Sequence, residues 1–354
     1  MSSATPQPCG SWKHELQTAV TKPHALAFPM AGGPQDVDSV VRRYPMRVTP
    51  YFLSLIQQWE DPLGKQVLPN LQELTDTLPH DDPLHENRQS PVPGLIHRYP
   101  DRVLFLVSSE CAVYCRYCLR KRMVGNPFGV TDQTREAALD YIKKNRSVRE
   151  VVLSGGDPLL LETDTLNHLL EQLRRIPHIQ VLRIHTRVPG VLPSRITDQL
   201  VSMLNRHHPL YVNIQFNHPN EITPQSTQAC AKLADAGIPL GSQTVLLKGV
   251  NDDPEVMIRL MQKLLTLRIK PYYLHHPDPV RGTGHFRTEI ACGLSIMEHL
   301  RGRVSGMGIP QYMIDLPGGG GKIPLLPESV LGEENGMLKV TGLHGKVYGY
   351  PGKA

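Results

Sequence analysis

Six short apolar runs, each followed by a helical pattern, constrain the fold of this chain more than any other feature. The runs are rich in β-branched residues and span positions 103–107, 151–153, 180–184, 210–216, 238–247 and 270–274. Because they lack a clean alternation of polar and apolar residues, they are typical of strands buried on both faces. Strands that alternate with helices favour a parallel sheet joined by right-handed crossovers.

The helical segments show the expected periodicity. In two of them, leucine and methionine recur at intervals of three and four residues, which places one apolar stripe on each helix. Thr131 or Asp132 is a candidate N-cap for the helix after the first strand, and Gly237 is a candidate end for a later helix. The two stripes consist of Leu166, Leu169, Leu170 and Leu173, and of Met257, Leu260, Met261 and Leu264.

Polar residues collect where these strands end. They include the serine, glycines and aspartate of 154–157, the polar side chains of 185–187 and 215–218, Gln243, and the histidines and aspartate of 275–278. Barrels and doubly wound sheets both build their sites at the carboxyl ends of their strands. We therefore expect an α/β fold, a partial barrel of six β/α units, with a flat doubly wound sheet as the alternative.

Three parts are expected along the chain. Residues 1–92 form a mostly helical or irregular extension, residues 93–305 form the barrel, and residues 306–354 form a C-terminal segment with a run of glycines. Helical patterns in the extension are confined to about 12–20 and 50–58. No chemistry is assigned to the extension, for which we expect the role of a cap or an oligomerisation arm.

Composition excludes several classes of protein. Thirty-eight basic and 33 acidic residues are interspersed and give a net charge of +5, which is too mild for a nucleic-acid partner. No run approaches the roughly 18 apolar residues of a membrane span, and residues 1–10 lack the order of a signal peptide. We expect a cytoplasmic protein, and in a reducing compartment clustered cysteines are metal ligands or redox groups rather than disulfides.

Three of the six cysteines lie within eight residues, directly after the first strand. Cys111, Cys115 and Cys118 have the spacing C-x3-C-x2-C, and soft thiolates select iron–sulfur clusters or zinc. Three thiolates can hold three irons of a four-iron cluster and leave the fourth iron open. A structural zinc site needs four ligands, usually as two pairs, and no second pair follows. The cluster is therefore favoured, and a non-catalytic, zinc-stabilised binding protein is the alternative.

The cysteine spacing resembles the radical S-adenosylmethionine superfamily. In that superfamily, the open iron binds the amino and carboxylate groups of S-adenosylmethionine, which is cleaved to a 5′-deoxyadenosyl radical. A Gly-Gly motif after the next strand contacts the methionine amino group, so the resemblance assigns S-adenosylmethionine to Gly155, Gly156 and Asp157, with Gln243 as a further contact. Without the resemblance, 155–157 is equally consistent with a turn that caps a helix.

Four consecutive glycines precede Lys322, and prolines bracket the segment 317–324. Leu316 and Ile323 stand where a phosphate-binding loop requires glycine and serine or threonine, so the segment is not such a loop. Glycine runs are commonly flexible linkers. A single lysine on a pliable backbone nevertheless suits a Schiff base with an aldehyde cofactor.

Six motifs together resemble the lysine 2,3-aminomutase family over about residues 90 to 330. They are 93–95, 97–102, 111–118, 154–158, 284–287 and 317–324. The resemblance implies an isomerase that moves the amino group of L-lysine to the β carbon, and it implies pyridoxal 5′-phosphate on Lys322. It makes Arg98, Arg102 and Arg187 candidates for the surroundings of that cofactor.

The resemblance also assigns the substrate contacts. Arg120 matches the arginine that grips the substrate carboxylate, for which a planar fork is suited. Asp278 and Asp315 match the two aspartates that receive the distal ammonium in lysine-acting members, whereas glutamate-acting members carry Lys and Asn there. An amino acid substrate, an electron donor such as flavodoxin or ferredoxin, and a possible homo-oligomer are the expected partners.

The chain departs from the family in three respects. No cysteine follows Cys292, and Asp253 stands at the fourth ligand of the family's structural zinc, so we expect that zinc to be absent. Gln215 stands where relatives have a histidine beside the cofactor. The short length resembles the branch that modifies elongation factor P, but that branch lacks the intact glycine–lysine segment and the second aspartate. That branch and an arginine substrate are the alternatives.

Overall fold

The computed structural model describes residues 12–26, 34–78, 80–125, 130–327, 329–335, 337–342 and 345–351, so the prediction about residues 1–10 lies outside it. Its α-helices are α1 (Trp12–Gln17), α2 (Pro34–Arg43), α3 (Pro50–Ser54), α4 (Gly64–Val67), α5 (Gln72–Thr75), α6 (Asp132–Lys144), α7 (Thr163–Arg174), α8 (Val188–Val191), α9 (Asp198–Asn205), α10 (Pro224–Asp235), α11 (Pro254–Thr266) and α12 (Ile290–Leu300).

The β-strands form two sheets. The larger sheet contains β1 (Leu95–Tyr99), β2 (Arg102–Ser108), β3 (Glu150–Gly155), β4 (Val181–Thr186), β5 (Leu210–Ile214), β6 (Leu240–Val245), β7 (Ile269–His275), β8 (Gln311–Leu316) and β9 (Gly321–Pro324), in that order. The smaller, antiparallel sheet contains β10 (Val330–Glu334), β11 (Met337–Thr341) and β12 (Val347–Pro351).

The larger sheet curls into a nearly closed barrel. Strands β2 to β8 are parallel, and β1 and β9 pair antiparallel at the two edges. The edges meet through side chains: the backbone N–H of Lys322 on β9 donates to the hydroxyl of Tyr99 on β1 over 2.9 Å. Arg98 on β1 also reaches Asp315 on β8, at 2.7 Å. The predicted α/β barrel is confirmed.

All six predicted strands are present as β2 to β7, but the sheet contains a further parallel strand, β8. Its apolar stretch is only Tyr312, Met313 and Ile314, and a polar residue flanks it on either side. That stretch is too short to give a strand signal by periodicity. The strand is buried by tertiary packing instead, with Tyr312 and Met313 in the core.

The predicted helix features are also present. Every residue of the two apolar stripes is buried, on α7 and α11. Thr131 caps α6 by accepting the N–H of Thr134 over 3.2 Å. Gly237 follows α10 with a φ of +75°, a backbone conformation that favours glycine at a helix end.

The N-terminal extension packs on the loop that carries the three cysteines. Backbone N–H groups of Tyr114 and Arg116 in that loop donate to the carbonyls of Arg47 and Gln66, over 2.9 and 2.8 Å. Glu73 on α5 is buried and pairs with two cations of the same loop, Arg116 and Lys121. The sequence assigned no chemistry to the extension, yet the extension supplies the acidic side chain that neutralises the two cations of the cysteine loop.

Beyond the barrel, β10 and β12 expose all their residues. Within the described ranges, no helix has both the length and the apolar character needed to cross a bilayer. The division of the chain at residues 92 and 305 stays a prediction.

We predict that Glu73→Gln destabilises the fold by about 3 kcal/mol or more, because it leaves two buried cations without their counter-charge. Urea unfolding under anaerobic conditions measures this. Asp235→Asn is the matched control: its ion pair with Arg268 is largely exposed, at 68% and 53%, and we expect a change of about 1 kcal/mol or less. Equal losses in the two variants would contradict a special role for Glu73.

Candidate active site

A cavity of about 580 Å³ extends through the barrel and opens at the carboxyl ends of its strands. Every residue assigned to the site from the sequence lines this one cavity. These residues are Cys111, Cys115, Cys118, Gly155, Gly156, Asp157, Gln243, Arg98, Arg102, Arg187, Arg120, Asp278, Asp315 and Lys322. Their proximity is a finding, whereas their individual roles stay predictions.

The three cysteines lie at one end of the cavity, on the loop after β2. Burial raises the pKa of the Cys111 thiol, and it raises that of Cys118 to about 11, with Cys115 adding to both shifts. Neutral thiols are therefore favoured when no metal is bound. A coordinating metal removes the proton outright. Three soft donors on one loop fit the cluster of the radical S-adenosylmethionine superfamily.

Arg187 lies next to the cysteines, and its predicted place in the surroundings of pyridoxal phosphate stays a prediction. Its guanidinium contacts the Sγ atom of Cys115 at 2.9 Å, Oε1 of Gln66 at 2.6 Å and Oε2 of Glu221 at 3.1 Å. These partners bind its two Nη atoms, and the ring of Tyr117 lies 5.7 Å from the guanidinium carbon. Its position is set by Asp157, which accepts the backbone N–H of Arg187 at 2.7 Å.

The glycines after β3 are required by the packing of two strand ends. A Cβ on Gly155, where φ is +124°, would lie 2.3 Å from the carbonyl oxygen of Ser108. A Cβ on Gly156 would lie 2.2 Å from the carbonyl oxygen of Glu110. The close approach of β3 to the start of the cysteine loop therefore explains both glycines, and it brings their backbone into the cavity next to the cysteines.

Asp157 is a positioning residue in this structure. Both of its carboxylate oxygens accept the hydroxyl of Thr186 at 2.8 Å, and one accepts the N–H of Leu159 at 3.1 Å. Burial raises the pKa of Asp157, and these donors oppose the shift. The carboxylate thus ties the end of β3 to the end of β4, and the cofactor contact predicted for Asp157 stays a prediction. Gln243, on β6, lines the cavity as predicted.

Lys322 and Asp315 line the same cavity as neighbours on paired strands. Asp315 on β8 is opposite Lys322 on β9, and the ammonium contacts Oδ2 of Asp315. Asp315 is 4% exposed, and its Oδ1 accepts Nη1 of Arg98 over 2.7 Å. The guanidinium of Arg102 stacks 4.1 Å from the ring centre of Tyr99. A lysine amine with two nearby arginines fits an aldehyde cofactor that carries a phosphate.

Arg120 forms a two-pronged ion pair with Glu86. Its Nε and Nη2 donate to Oε2 and Oε1 of Glu86 over 3.1 and 2.6 Å. The two side chains are 14% and 5% exposed. Charges nearby raise the pKa of Arg120 further, Glu86 most and Asp278 less, against the effect of burial. The group predicted to bind a substrate carboxylate thus already binds a carboxylate of the chain.

Asp278 and two half-buried histidines also line the cavity. Burial, and secondly the charge of Asp315, raise the pKa of Asp278 to about 7. Burial lowers the pKa of His275 to about 3, with Lys322 adding to the shift, and burial lowers that of His185 as well. Both histidines are neutral, so the cavity's positive charge comes from arginines and Lys322.

Sequence reasoning missed the residues that the extension contributes. Glu73, Glu86 and Gln66 reach the cysteine loop or the cavity arginines from segments outside the two helical patterns expected in the extension. Asp82 accepts the N–H groups of Glu86 and Asn87 at 3.1 Å and so holds the turn that carries Glu86. An Asp-Pro pair such as Asp82-Pro83 is typical of a turn, but it does not reveal which arginine the glutamate contacts.

Comparison with known proteins agrees with this arrangement. The sequence profile of the radical SAM superfamily matches residues 105–261, and the profile described as lysine-2,3-aminomutase matches residues 297–352. The chain is 44% identical over 346 residues to the L-lysine 2,3-aminomutase of Acetoanaerobium sticklandii, which covers 96% of this chain and 84% of that protein.

Two further relatives are similar over most of their length. The L-lysine 2,3-aminomutase of Clostridium subterminale is 46% identical over 320 residues, covering 89% of this chain and 77% of that protein. The glutamate 2,3-aminomutase of Clostridioides difficile is 40% identical over 351 residues, covering 98% of this chain and 83% of that protein. Similarity on this scale therefore extends to relatives named for two different substrates.

We predict that Cys111→Ala loses most of the iron and inorganic sulfide bound after anaerobic reconstitution, because two thiolates hold a four-iron cluster poorly. Chemical analysis of iron and sulfide measures this. Cys230→Ala is the matched control, since Cys230 is buried on α10 among apolar residues. Full iron content in Cys111→Ala, or an equal loss in Cys230→Ala, would contradict the assignment.

Proposed function

This chain belongs to the lysine 2,3-aminomutase family of the radical S-adenosylmethionine superfamily, and from that premise we propose that it interconverts L-lysine and L-β-lysine. The reaction moves the amino group between the α and β carbons, so the enzyme is an isomerase. The proposal joins a cysteine site for a radical-generating cluster to a lysine site for pyridoxal phosphate, both on the wall of one cavity.

One observation carries the choice of substrate. The chain's own carboxylate, from Glu86, binds Arg120, and its own alkylammonium, from Lys322, binds Asp315. These are the two charged groups that lysine carries at its ends. The cavity thus holds one group that binds a carboxylate and one that binds a primary ammonium, which supports a substrate with both.

The cofactors supply chemistry that side chains lack. When bound, the [4Fe-4S] cluster with S-adenosylmethionine would supply a carbon radical that removes hydrogen, and pyridoxal phosphate would supply an aldehyde that gives the migrating amino nitrogen the double bond an amine lacks. In the proposal, Cys111, Cys115 and Cys118 hold the cluster and Lys322 holds pyridoxal phosphate. Arg98 and Arg102 face its phosphate and ring.

The remaining residues bind and orient the substrate. Arg120 fixes the carboxylate through its planar fork. Asp278 and Asp315 receive the distal ammonium, because two carboxylates offset the desolvation of a buried cation better than one. Neutral His185 and His275 add no repulsion towards that ammonium.

The same charges disfavour glutamate as the substrate. Its second carboxylate would meet Asp278 and Asp315, two buried acids, in place of an ammonium, and like charges in a poorly hydrated site repel strongly. Arginine and a substrate on elongation factor P are less well supported, because the relatives reported above are named for lysine and glutamate. A flavodoxin- or ferredoxin-type electron donor, a homo-oligomer and a cytoplasmic location belong to the proposal as well.

Turnover of lysine tests the proposal directly. We predict that reconstituted protein with a reductant and S-adenosylmethionine converts labelled L-lysine to β-lysine under anaerobic conditions, as followed by chromatography. Lys322→Ala should lose both this activity and the absorbance of bound pyridoxal phosphate while it retains its iron. Turnover of glutamate or arginine but not lysine would overturn the substrate assignment.

A pH dependence of lysine binding follows from Asp278. Its pKa is raised to about 7, so the ionised form that attracts the ammonium is lost as the pH falls below that value. We predict that lysine affinity decreases by up to about tenfold per pH unit below about pH 7, as measured by titration of pyridoxal phosphate absorbance.

Two comparisons isolate the contribution of Asp278. L-Norleucine has a methyl group in place of the ammonium-bearing end, so its affinity should lack this dependence. Asp278→Asn should bind lysine weakly and without the decrease. A wild-type lysine affinity that stays constant between about pH 6 and 8 would contradict the assignment.

A further inference from the structure

One short segment of the extension contacts one substrate-recognition group directly and the other through an arginine. Residues 84–89, which include the helical turn Glu86–Gln89, precede β1 and reach Arg120, Arg98 and the glycine run. We refer to residues 84–89 as the positioning turn.

Glu86 fixes Arg120 at the end that binds the carboxylate. Its two oxygens take the Nε and Nη2 side of the guanidinium. Within the described residues, Nη1 of Arg120 makes no hydrogen bond, so the other side of the fork is left for a ligand. Glu86 also lies 3.5 Å from Nη2 of Arg122, and its own backbone is held by Asp82. An arginine side chain with many rotamers is thereby held in one orientation.

Gln89 fixes the ammonium end through Arg98. Its Oε1 accepts Nε of Arg98 over 2.7 Å, and the same guanidinium donates from Nη1 to Asp315 over 2.7 Å. The Nε2 group of Gln89 donates to the carbonyls of Leu84 and His85, over 2.6 and 3.2 Å. Gln89 therefore sets the position of Asp315 through one intermediate side chain.

The positioning turn also touches the segment that carries Lys322. The N–H of Gly318 lies 3.5 Å from the carbonyl of Pro83, just before the turn. A Cβ on Gly319, where φ is +89°, would lie 2.8 Å from Nε2 of Gln89. The glycine run therefore packs against the turn so closely that a side chain at Gly319 would displace Gln89.

We propose that the positioning turn sets the separation and orientation of the two charged groups that recognise the substrate, with Glu86 and Gln89 as positioning residues. The inference rests on the proposed function, in which Arg120 binds the carboxylate and Asp315 the ammonium. Because one turn holds Arg120 directly and Asp315 through Arg98, it sets the distance between them and with it the length of substrate that spans them. Such preorganisation lowers the ordering cost of binding.

The two residues act on different ends of the substrate, which separates positioning from a general structural role. Lysine and norleucine share the carboxylate end and differ at the ammonium end. Glu86→Gln removes the charge that holds Arg120, so both ligands should bind about tenfold more weakly. Gln89→Met removes the acceptor for Arg98, so lysine should bind about tenfold more weakly while norleucine is unaffected.

The experiment titrates the pyridoxal phosphate absorbance of the reconstituted holoenzyme with L-lysine and with L-norleucine, without S-adenosylmethionine. Arg88→Gln, an exposed change in the same turn, is the matched control and should leave both affinities unchanged. Equal losses for both ligands in both variants, or tighter lysine binding in Glu86→Gln, would overturn the inference.

Two further arms keep the result interpretable. Iron content and thermal unfolding of each variant report on folding, and Glu86→Asp replaces Glu86→Gln if the latter is unstable. The shorter carboxylate should draw Arg120 back and change the ratio of ornithine to lysine affinity relative to wild type; an unchanged ratio would overturn the inference. If wild-type holoenzyme binds no lysine, the proposed function itself fails, whatever the variants do.

Discussion

The site depends on the ion pairs made by the buried carboxylate of Glu73. This carboxylate is paired with Arg116 and Lys121, both inside the loop that carries the three cysteines. Burial lowers the pKa of Lys121 to about 8, with the charge of Glu73 opposing that shift. Without the counter-charge that the extension supplies, the pKa of the buried Lys121 would be lowered further and its neutral form favoured. The geometry offered to a cluster is set by residues outside the barrel as much as by the strand that precedes the loop.

Most of the charged groups around the cavity are compensated within the chain. Arg187 contacts the Sγ atom of Cys115 and is balanced by Glu221. Asp315 pairs with both Lys322 and Arg98. Arg120 pairs with Glu86, whose contact leaves one side of the guanidinium for a ligand. The recognition groups therefore keep a counter-charge before an amino acid binds, whereas a buried charge left uncompensated would cost several kcal/mol.

The sequence predicts the strands of the barrel well, but it predicts poorly which side chains contact each other. Both outcomes have physical reasons. Long β-branched runs are buried whatever surrounds them, so six strands follow from pattern alone, whereas β8 depends on packing that a short run does not reveal. Motif spacing likewise brings the fourteen site residues to one cavity. What Arg187, Asp157 and Glu86 contact depends on which segments meet in space, and their partners lie 29 to 121 residues away along the chain.

The contacts that close the barrel are also the contacts that place Lys322. The contacts that join the first and last strands of the larger sheet, Tyr99 with Lys322 and Arg98 with Asp315, span more than 200 residues. An open sheet would leave Lys322 on a free edge, at the end of a run of four glycines that cannot hold it alone. Because β1 follows the segment 84–89, the extension, the sheet edges and the lysine must assemble together. Placement of the lysine therefore depends on the same contacts that close the sheet, rather than on its local sequence.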